Sequence, residues 1–382
     1  MSDIKKGIRF SPSLCVTHSC NLDCIYCYQT HDGNHRMSYE TACKSVDWIF
    51  TNIPSDMSGV EISFIGGEPL IEFDLIKRIY DYTFNKFADE SFIFYATTNG
   101  ALLNDEMKAW FLAHKDSFVL GLSLDGTPDT HNHNRCNSYD KIDIDFFKTT
   151  WPNQGVKMTL SEYSLNNLAD NVIYIHELGF KEVDGVNLFE GTFDWSDEKY
   201  VKTIIPQLRK LVDYYVENDD LILDQMLGRR LDMCEELDRP MRKWCGIGTG
   251  TIFFDTDGTR RPCPFVTPMT FSVEELHDIM KTDFEDQAAF VDVECFKDCY
   301  IYPICPMCPG ANYLAKKTFS ERDKSKCRMQ KLITLYCADL QARRLLKNRE
   351  ALPNNQVYNT IEAIKKIRDK FLPEFEEYKG IM

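Results

Sequence analysis

The sequence predicts an α/β protein: an open, partial (β/α)6 barrel of the TIM-like kind, then a small cysteine-rich domain and a C-terminal helix. Three observations carry this expectation. From Ile8 to about Phe193, short apolar runs alternate with amphipathic stretches. Eight of the fifteen cysteines fall between Cys234 and Cys327, amid Gly, Pro and Asp. After about Met329 the chain reads as helical again.

The candidate strands, in order, are SLCVT, VEISFIG, FIFYATT, FVLGLSL, VKMTL and VDGVNLF. Helix-like sequence follows, as in YETACKSVDWIF, LIEFDLIKRIYDYTF and NNLADNVIYIHELG, with turn residues between. Six such units make a partial barrel over residues 1–196, whose polar chemistry gathers where loops leave the carboxyl ends of the strands. Residues 197–240 read as a charged helical bridge, with EKYVKTIIPQLRKLVDYYVEN as its clearest amphipathic piece. Residues 241–345 form the second domain, in which loop-rich sequence needs metal cross-links to offset the entropy of ordering. Residues 346–382 make a helical tail.

A chain of 382 residues, 43% of them hydrophobic, buries an ample core without staples. Fifteen cysteines would suggest disulfides in a small secreted protein, but this chain is long and opens MSDIKKGIRF, without an apolar signal core. A reducing, cytoplasmic location is expected. No apolar run approaches the roughly 18 residues of a membrane span. The net charge of -15 argues against nucleic acid and suits a basic or neutral partner, or solubility alone.

Cys20, Cys24 and Cys27 stand in CNLDCIYC just after the first candidate strand, with gaps of three and two residues. A structural zinc site normally closes with four ligands, whereas three thiolates leave a position open, on zinc or on a cubane iron cluster. Spacing, strand context and the aromatic Tyr26 before the last cysteine resemble the radical S-adenosylmethionine (AdoMet) superfamily. The resemblance implies a [4Fe-4S] cluster whose open iron chelates the methionine moiety, and reductive cleavage to methionine and a 5'-deoxyadenosyl radical. It also implies that Gly66, Gly67 and Glu68, in GGEP after the second strand, meet the methionine amino group. Thr98 and Asn99 end the third strand; by resemblance Ser123 and Arg135 bind the ribose or carboxylate part, and Leu188 the adenine. Arg135 is a fixed cation suited to a carboxylate. His131 reads better as a structural histidine.

The later cysteines, Cys245, Cys263, Cys295, Cys299, Cys305, Cys308 and Cys327, resemble the SPASM extension that carries auxiliary clusters in radical enzymes acting on peptides and proteins. Gly258 before Cys263 matches that pattern. The gaps of three, five, two and eighteen swap two outer gaps of the family. Carried across by order, Cys245, Cys263 and Cys308 hold one auxiliary cluster, and Cys295, Cys299, Cys305 and Cys327 the other, making three [4Fe-4S] clusters in all. The first set is one thiolate short, since residue 251 is Thr and no cysteine lies between Cys245 and Cys263. Either Cys234 completes it or an open iron receives a substrate thiolate. Cys15, Cys43, Cys136 and Cys337 have no partner at ligand spacing.

Three reactions fit: maturing a ribosomally made peptide, for instance by a thioether cross-link; converting a sulfatase residue to formylglycine; or modifying a small molecule. Sulfatase maturases place an Asp base after the cysteine matching Cys263, where this chain has Pro264. Peptide maturation is therefore the leading expectation, with a leader-bearing peptide as substrate and a low-potential donor such as flavodoxin or ferredoxin. Nineteen residues before Cys20 are too few for a winged-helix leader-binding domain. A non-catalytic electron-transfer protein would need neither GGEP nor Arg135.

Overall fold

The structure is a computed structural model that describes residues 10–185, 195–236, 241–347 and 354–376. Its contacts divide the chain into two compact units, each discontinuous in sequence: residues 1–123, 135–152 and 245–289 in the first; residues 124–134, 153–244 and 290–382 in the second.

The first unit is built on one six-stranded sheet. Strands β1 (Ser13–Thr17), β2 (Val60–Gly66), β3 (Phe92–Thr98) and β4 (Phe118–Leu122) are joined by helical crossovers, and β7 (Phe253–Phe254) and β8 (Arg260–Arg261) form a hairpin. The order is β4-β3-β2-β1-β7-β8, parallel throughout except for the β7–β8 pair. β1, paired on both edges, is buried along its whole length, as its apolar run requires. Phe64, Phe94 and Phe118 stack across β2, β3 and β4 with ring centroids 5.5 and 5.8 Å apart, fixing the core beneath one sheet face. Helix Tyr39–Thr51 starts where the Ser38 hydroxyl accepts from the Thr41 N–H, and Asn104 caps Asp105–Ala113 through Met107 N–H.

The first four expected strands occur where the apolar runs place them. The hairpin of β7 and β8, which lies in the cysteine-rich sequence, joins the same sheet beside β1, a pairing no local pattern announces.

In the second unit, strands β5 (Val156–Lys157) and β6 (Val183–Asp184) form a short parallel pair, extended by Met158 N–H to Asp184 O at 2.9 Å. The VKMTL run therefore narrows to its first residues, because beyond Met158 the Thr159 N–H turns to the Asp125 carboxylate. The rest of VDGVNLF lies outside the described residues. Helix Glu198–Glu217 packs its apolar stripe on helix Cys327–Lys347, tied by Arg344 to Tyr215 O and by Arg343 to Asp213. Helix Asn354–Phe371 covers the same long helix. No helix among the described residues is long and apolar enough to cross a membrane.

Candidate active site

The carboxyl ends of β1, β2, β3 and β4 present the cysteine loop, GGEP, the Thr98-Asn99 turn and Ser123 within the first unit. The loop bends on itself through Cys27 N–H to Cys24 O at 2.9 Å. Cys20, Cys24 and Cys27 form no disulfide, and none is fully buried. Burial raises the Cys20 thiol pKa, and the charges of Glu68 and Cys27 act in the same direction. Burial likewise raises that of Cys27, opposed by the Gln29 N–H and by Arg135. These cross-influences place Cys20, Cys27, Glu68 and Arg135 in one electrostatic neighbourhood. The Arg135 guanidinium also lies 5.4 Å from the Tyr26 ring centroid, within cation–π range.

Glu68 is the most constrained group. It is 1% exposed, and its carboxylate accepts from Leu70 N–H at 3.1 Å, Thr98 Oγ1 at 2.8 Å and Asn99 N–H at 2.8 Å. Burial pushes its pKa up to about 7, against the pull of those three donors and of Arg135. Asn99 extends the link by donating from Nδ2 to Asn21 Oδ1, inside the cysteine loop. Ser123 joins the same edge through its N–H to Thr98 O at 2.9 Å.

The glycines of GGEP have a reason within the chain. A Cβ on Gly66 would stand 2.2 Å from Thr17 O, and one on Gly67 would stand 2.4 Å from Ser19 O and 2.9 Å from the Cys20 Cβ. They permit Gly67 N–H and Glu68 N–H to bond Thr17 O and Ser19 O, stitching β2 to the start of the cysteine loop.

Sequence reasoning passed over three neighbours. His31 Nε2 lies 3.3 Å from Cys27 Sγ, its Nδ1 faces His18 O, and the His18 ring pairs with Asp255. Only the four-residue step from Cys27 to His31 was a signal in the sequence. His131, expected to be structural, is fully buried with Nδ1 accepting from Asp125 N–H. Leu188 lies outside the described residues.

With this geometry in view, the family comparison is decisive: the model described as the Radical SAM superfamily matches residues 14–204. The chain belongs to the radical SAM superfamily. It is 25% identical over 327 residues to a cysteine-type anaerobic sulfatase-maturating enzyme of Clostridium perfringens, covering 76% of this chain and 85% of the relative. It is 24% identical over 324 residues to the antilisterial bacteriocin subtilosin biosynthesis protein AlbA of Bacillus subtilis, covering 78% and 64%. Among solved structures, anSMEcpe with bound AdoMet matches at TM-score 0.66 and 17% identity, over 92% of this chain and 98% of that one. Streptococcus suis SuiB bound to precursor peptide SuiA matches at TM-score 0.55 and 15% identity, over 84% and 76%. The fold likeness thus runs through the cysteine-rich region.

A radical SAM enzyme of this fold binds AdoMet and a [4Fe-4S] cluster. The residues present fit both: three thiols outside any disulfide on one short loop, with an arginine and a buried carboxyl beside them.

The later cysteines fall into the two units. Cys263 and Cys245 belong to the first. Burial pushes the Cys263 thiol up to about 11, and Cys245 adds in the same direction. Cys295, Cys299, Cys305 and Cys327 belong to the second, and burial followed by the charges of the other three pushes Cys327 up to about 11. Asp292 organises that group by accepting from Cys295 N–H and Arg322 N–H, while Lys324 Nζ reaches Cys295 Sγ at 2.9 Å. Cys308, before helix Pro309–Lys316, and the buried Cys234 also belong to the second unit.

Proposed function

We propose that this radical SAM enzyme matures a ribosomally made peptide, abstracting hydrogen from one of its residues and forming a thioether or another cross-link. The observation that carries the radical step is the placing of Glu68 and Arg135, an acceptor and a cation, beside the three-thiol loop. A ligand with an ammonium and a carboxylate on one carbon suits that pair. When bound, the cluster of Cys20, Cys24 and Cys27 supplies the electron that splits AdoMet. The chain's own residues orient the cofactor: the GGEP segment takes the ammonium, through Glu68 or its backbone carbonyls, Arg135 and Ser123 the carboxylate or ribose, and the Thr98-Asn99 turn holds Glu68 in place. Gly66 and Gly67 keep the loop close to β2.

Peptide chemistry is supported by relatives whose names describe sulfatase maturation, bacteriocin biosynthesis and a bound precursor peptide. Pro264, where sulfatase maturases carry their Asp base, favours peptide maturation over formylglycine formation. Two auxiliary [4Fe-4S] clusters complete the reading: Cys295, Cys299, Cys305 and Cys327 would hold one, and Cys245, Cys263 and Cys308, assigned by their order in the sequence alone, the other. Either Cys234 or a substrate thiolate would complete the latter set. A low-potential flavodoxin or ferredoxin would reduce the enzyme in the cytoplasm.

The test is anaerobic purification and cluster reconstitution, followed by iron and 5'-deoxyadenosine measurement with dithionite and AdoMet. Wild type is compared with Cys20→Ala, Cys24→Ala and Cys27→Ala combined. About twelve irons per chain, with cleavage lost in the triple variant, is expected. Zinc instead of iron, or cleavage that survives the triple change, overturns the reading.

A further inference from the structure

The four-cysteine group of the second unit has a cation in contact with one of its sulfurs. Cys295 stands in helix Val293–Asp298, and Cys327 opens helix Cys327–Lys347. The charges of Cys305, Cys295 and Cys299 all bear on Cys327, and that of Cys305 on Cys299, so the four thiols share one neighbourhood. An all-sulfur donor set of this kind fits an iron–sulfur cluster.

Lys324 starts the short turn Lys324–Lys326 that leads into Cys327, a turn begun by Asp323 accepting from Ser325 N–H at 3.0 Å. From there its ammonium reaches back to the segment that carries Cys295. Nζ lies 2.9 Å from Cys295 Sγ, 3.3 Å from Asp292 Oδ2 and 3.4 Å from Glu294 Oε2. The two carboxylates do not account for this placement. Glu294 is 78% exposed, where an ion pair gains little. Asp292 is buried but already accepts from Cys295 N–H at 3.0 Å and from Arg322 N–H at 3.1 Å. The ammonium approaches the sulfur more closely than either oxygen, although sulfur is the larger atom. Its charge also bears on Cys327, so it acts on two of the four thiols. Arg322 and Lys331 bear on Cys299 too, but each is engaged elsewhere: Arg322 donates to Cys305 O at 3.2 Å, and Lys331 pairs with Glu374 at 2.6 Å.

We propose that Lys324 is a redox-tuning residue for a [4Fe-4S] cluster on Cys295, Cys299, Cys305 and Cys327, holding its reduction potential above the value that four thiolates beside Asp292 would set. This inference rests on the auxiliary-cluster part of the proposed function and adds to it the residue that sets how readily that cluster takes up an electron. Reduction adds one electron and no proton, and no bond forms or breaks. The added negative charge is stabilised by an ammonium hydrogen-bonded to a ligand sulfur. Asp292 acts on Cys295 with the opposite sign. Removing the Lys324 charge therefore takes away a cation and leaves a buried carboxylate beside the sulfur, and both effects lower the potential.

The test is an anaerobic redox titration of the full-length reconstituted protein, followed by electron paramagnetic resonance. The signal belonging to this cluster is the one absent from Cys299→Ala. In Lys324→Met, the reduced-to-oxidised ratio of that signal at the wild-type midpoint is expected to fall about tenfold, a shift of about 59 mV for one electron. Lys324→Gln, which keeps a neutral donor, is expected to fall less, and Lys324→Arg, which keeps a charged one, to stay nearest wild type. Iron content is expected to be unchanged in all three; a merely structural lysine would leave the midpoint where it is. A midpoint unchanged or raised in whichever neutral variant keeps its iron overturns the inference and leaves the auxiliary cluster standing. Loss of about four irons in both neutral variants makes Lys324 a structural clasp and overturns it as well. A Cys299→Ala protein that keeps every signal and all its iron overturns the auxiliary-cluster reading and the inference with it.

Discussion

His18 Nε2 lies 2.7 Å from Asp255 Oδ1 with both side chains buried, so an imidazole just past β1 is paired to a carboxylate just past β7. Cys15 lends the third buried donor within 4.8 Å, but its thiol packs with Phe253 and Met269, and burial pushes its pKa far up. The cluster is therefore a structural clasp between the cysteine loop and the hairpin. Burial opposes ionisation of Asp255, yet the bonds from His18 and Thr256 N–H hold its carboxyl below the usual range.

Asp255→Asn is expected to lower stability at neutral pH by about 1–3 kcal/mol, measured by urea unfolding. The sign with pH follows from the depressed value. The wild-type contribution is complete above the ordinary carboxylate range, near about pH 4, and is lost as pH falls through the folded value. The difference between wild type and Asp255→Asn should shrink in acid. A difference that stays constant would refute the ionised Asp255 carboxyl as the acceptor of the clasp.

Gly67→Ala places a methyl group 2.4 Å from Ser19 O, a backbone atom that cannot rotate away. The cysteine loop must shift instead, at a cost of about 1–3 kcal/mol. The expected outcome is a folded chain that loses about four irons and most AdoMet cleavage. Full iron content in the variant would show that the close approach is not what positions Cys20.

Glu68 has its pKa raised to about 7 by burial, so AdoMet affinity should rise with pH through that value as the acceptor for the ammonium ionises. Folding stability moves the opposite way: the raised pKa contributes below about pH 4.5, and that contribution is lost as pH rises towards about 7. Glu68→Gln should weaken AdoMet binding about tenfold at neutral pH and flatten both profiles. Isothermal titration across pH decides it; an unchanged profile would remove Glu68 from the ammonium site.

Cys299→Ala should reduce iron by about four per chain while leaving reductive AdoMet cleavage in place, because Cys299 groups with Cys295, Cys305 and Cys327 in the second unit. Loss of cleavage together with the iron would mean that this group serves the radical step itself.

The parallel sheet was legible in the sequence because β1, β2, β3 and β4 are continuous or alternating apolar runs bounded by turn residues, a pattern local to each segment. The three-thiol loop was legible for the same reason: Cys20, Cys24 and Cys27 lie within eight residues of chain. The pairing of β7 beside β1 was not, since two residues carry too little periodicity to declare a strand; only the β1 edge makes Phe253–Phe254 one. Glycine in GGEP could be noticed from sequence, but that Gly66 and Gly67 abut Thr17 O and Ser19 O required the folded backbone. Sequence by itself determined which chemistry the chain carries, because ligand type and spacing are covalent facts. Tertiary structure alone decided the burial that raises Glu68 and the pairing of His18 with Asp255. Those depend on residues far apart in the chain, brought together only when the core closes.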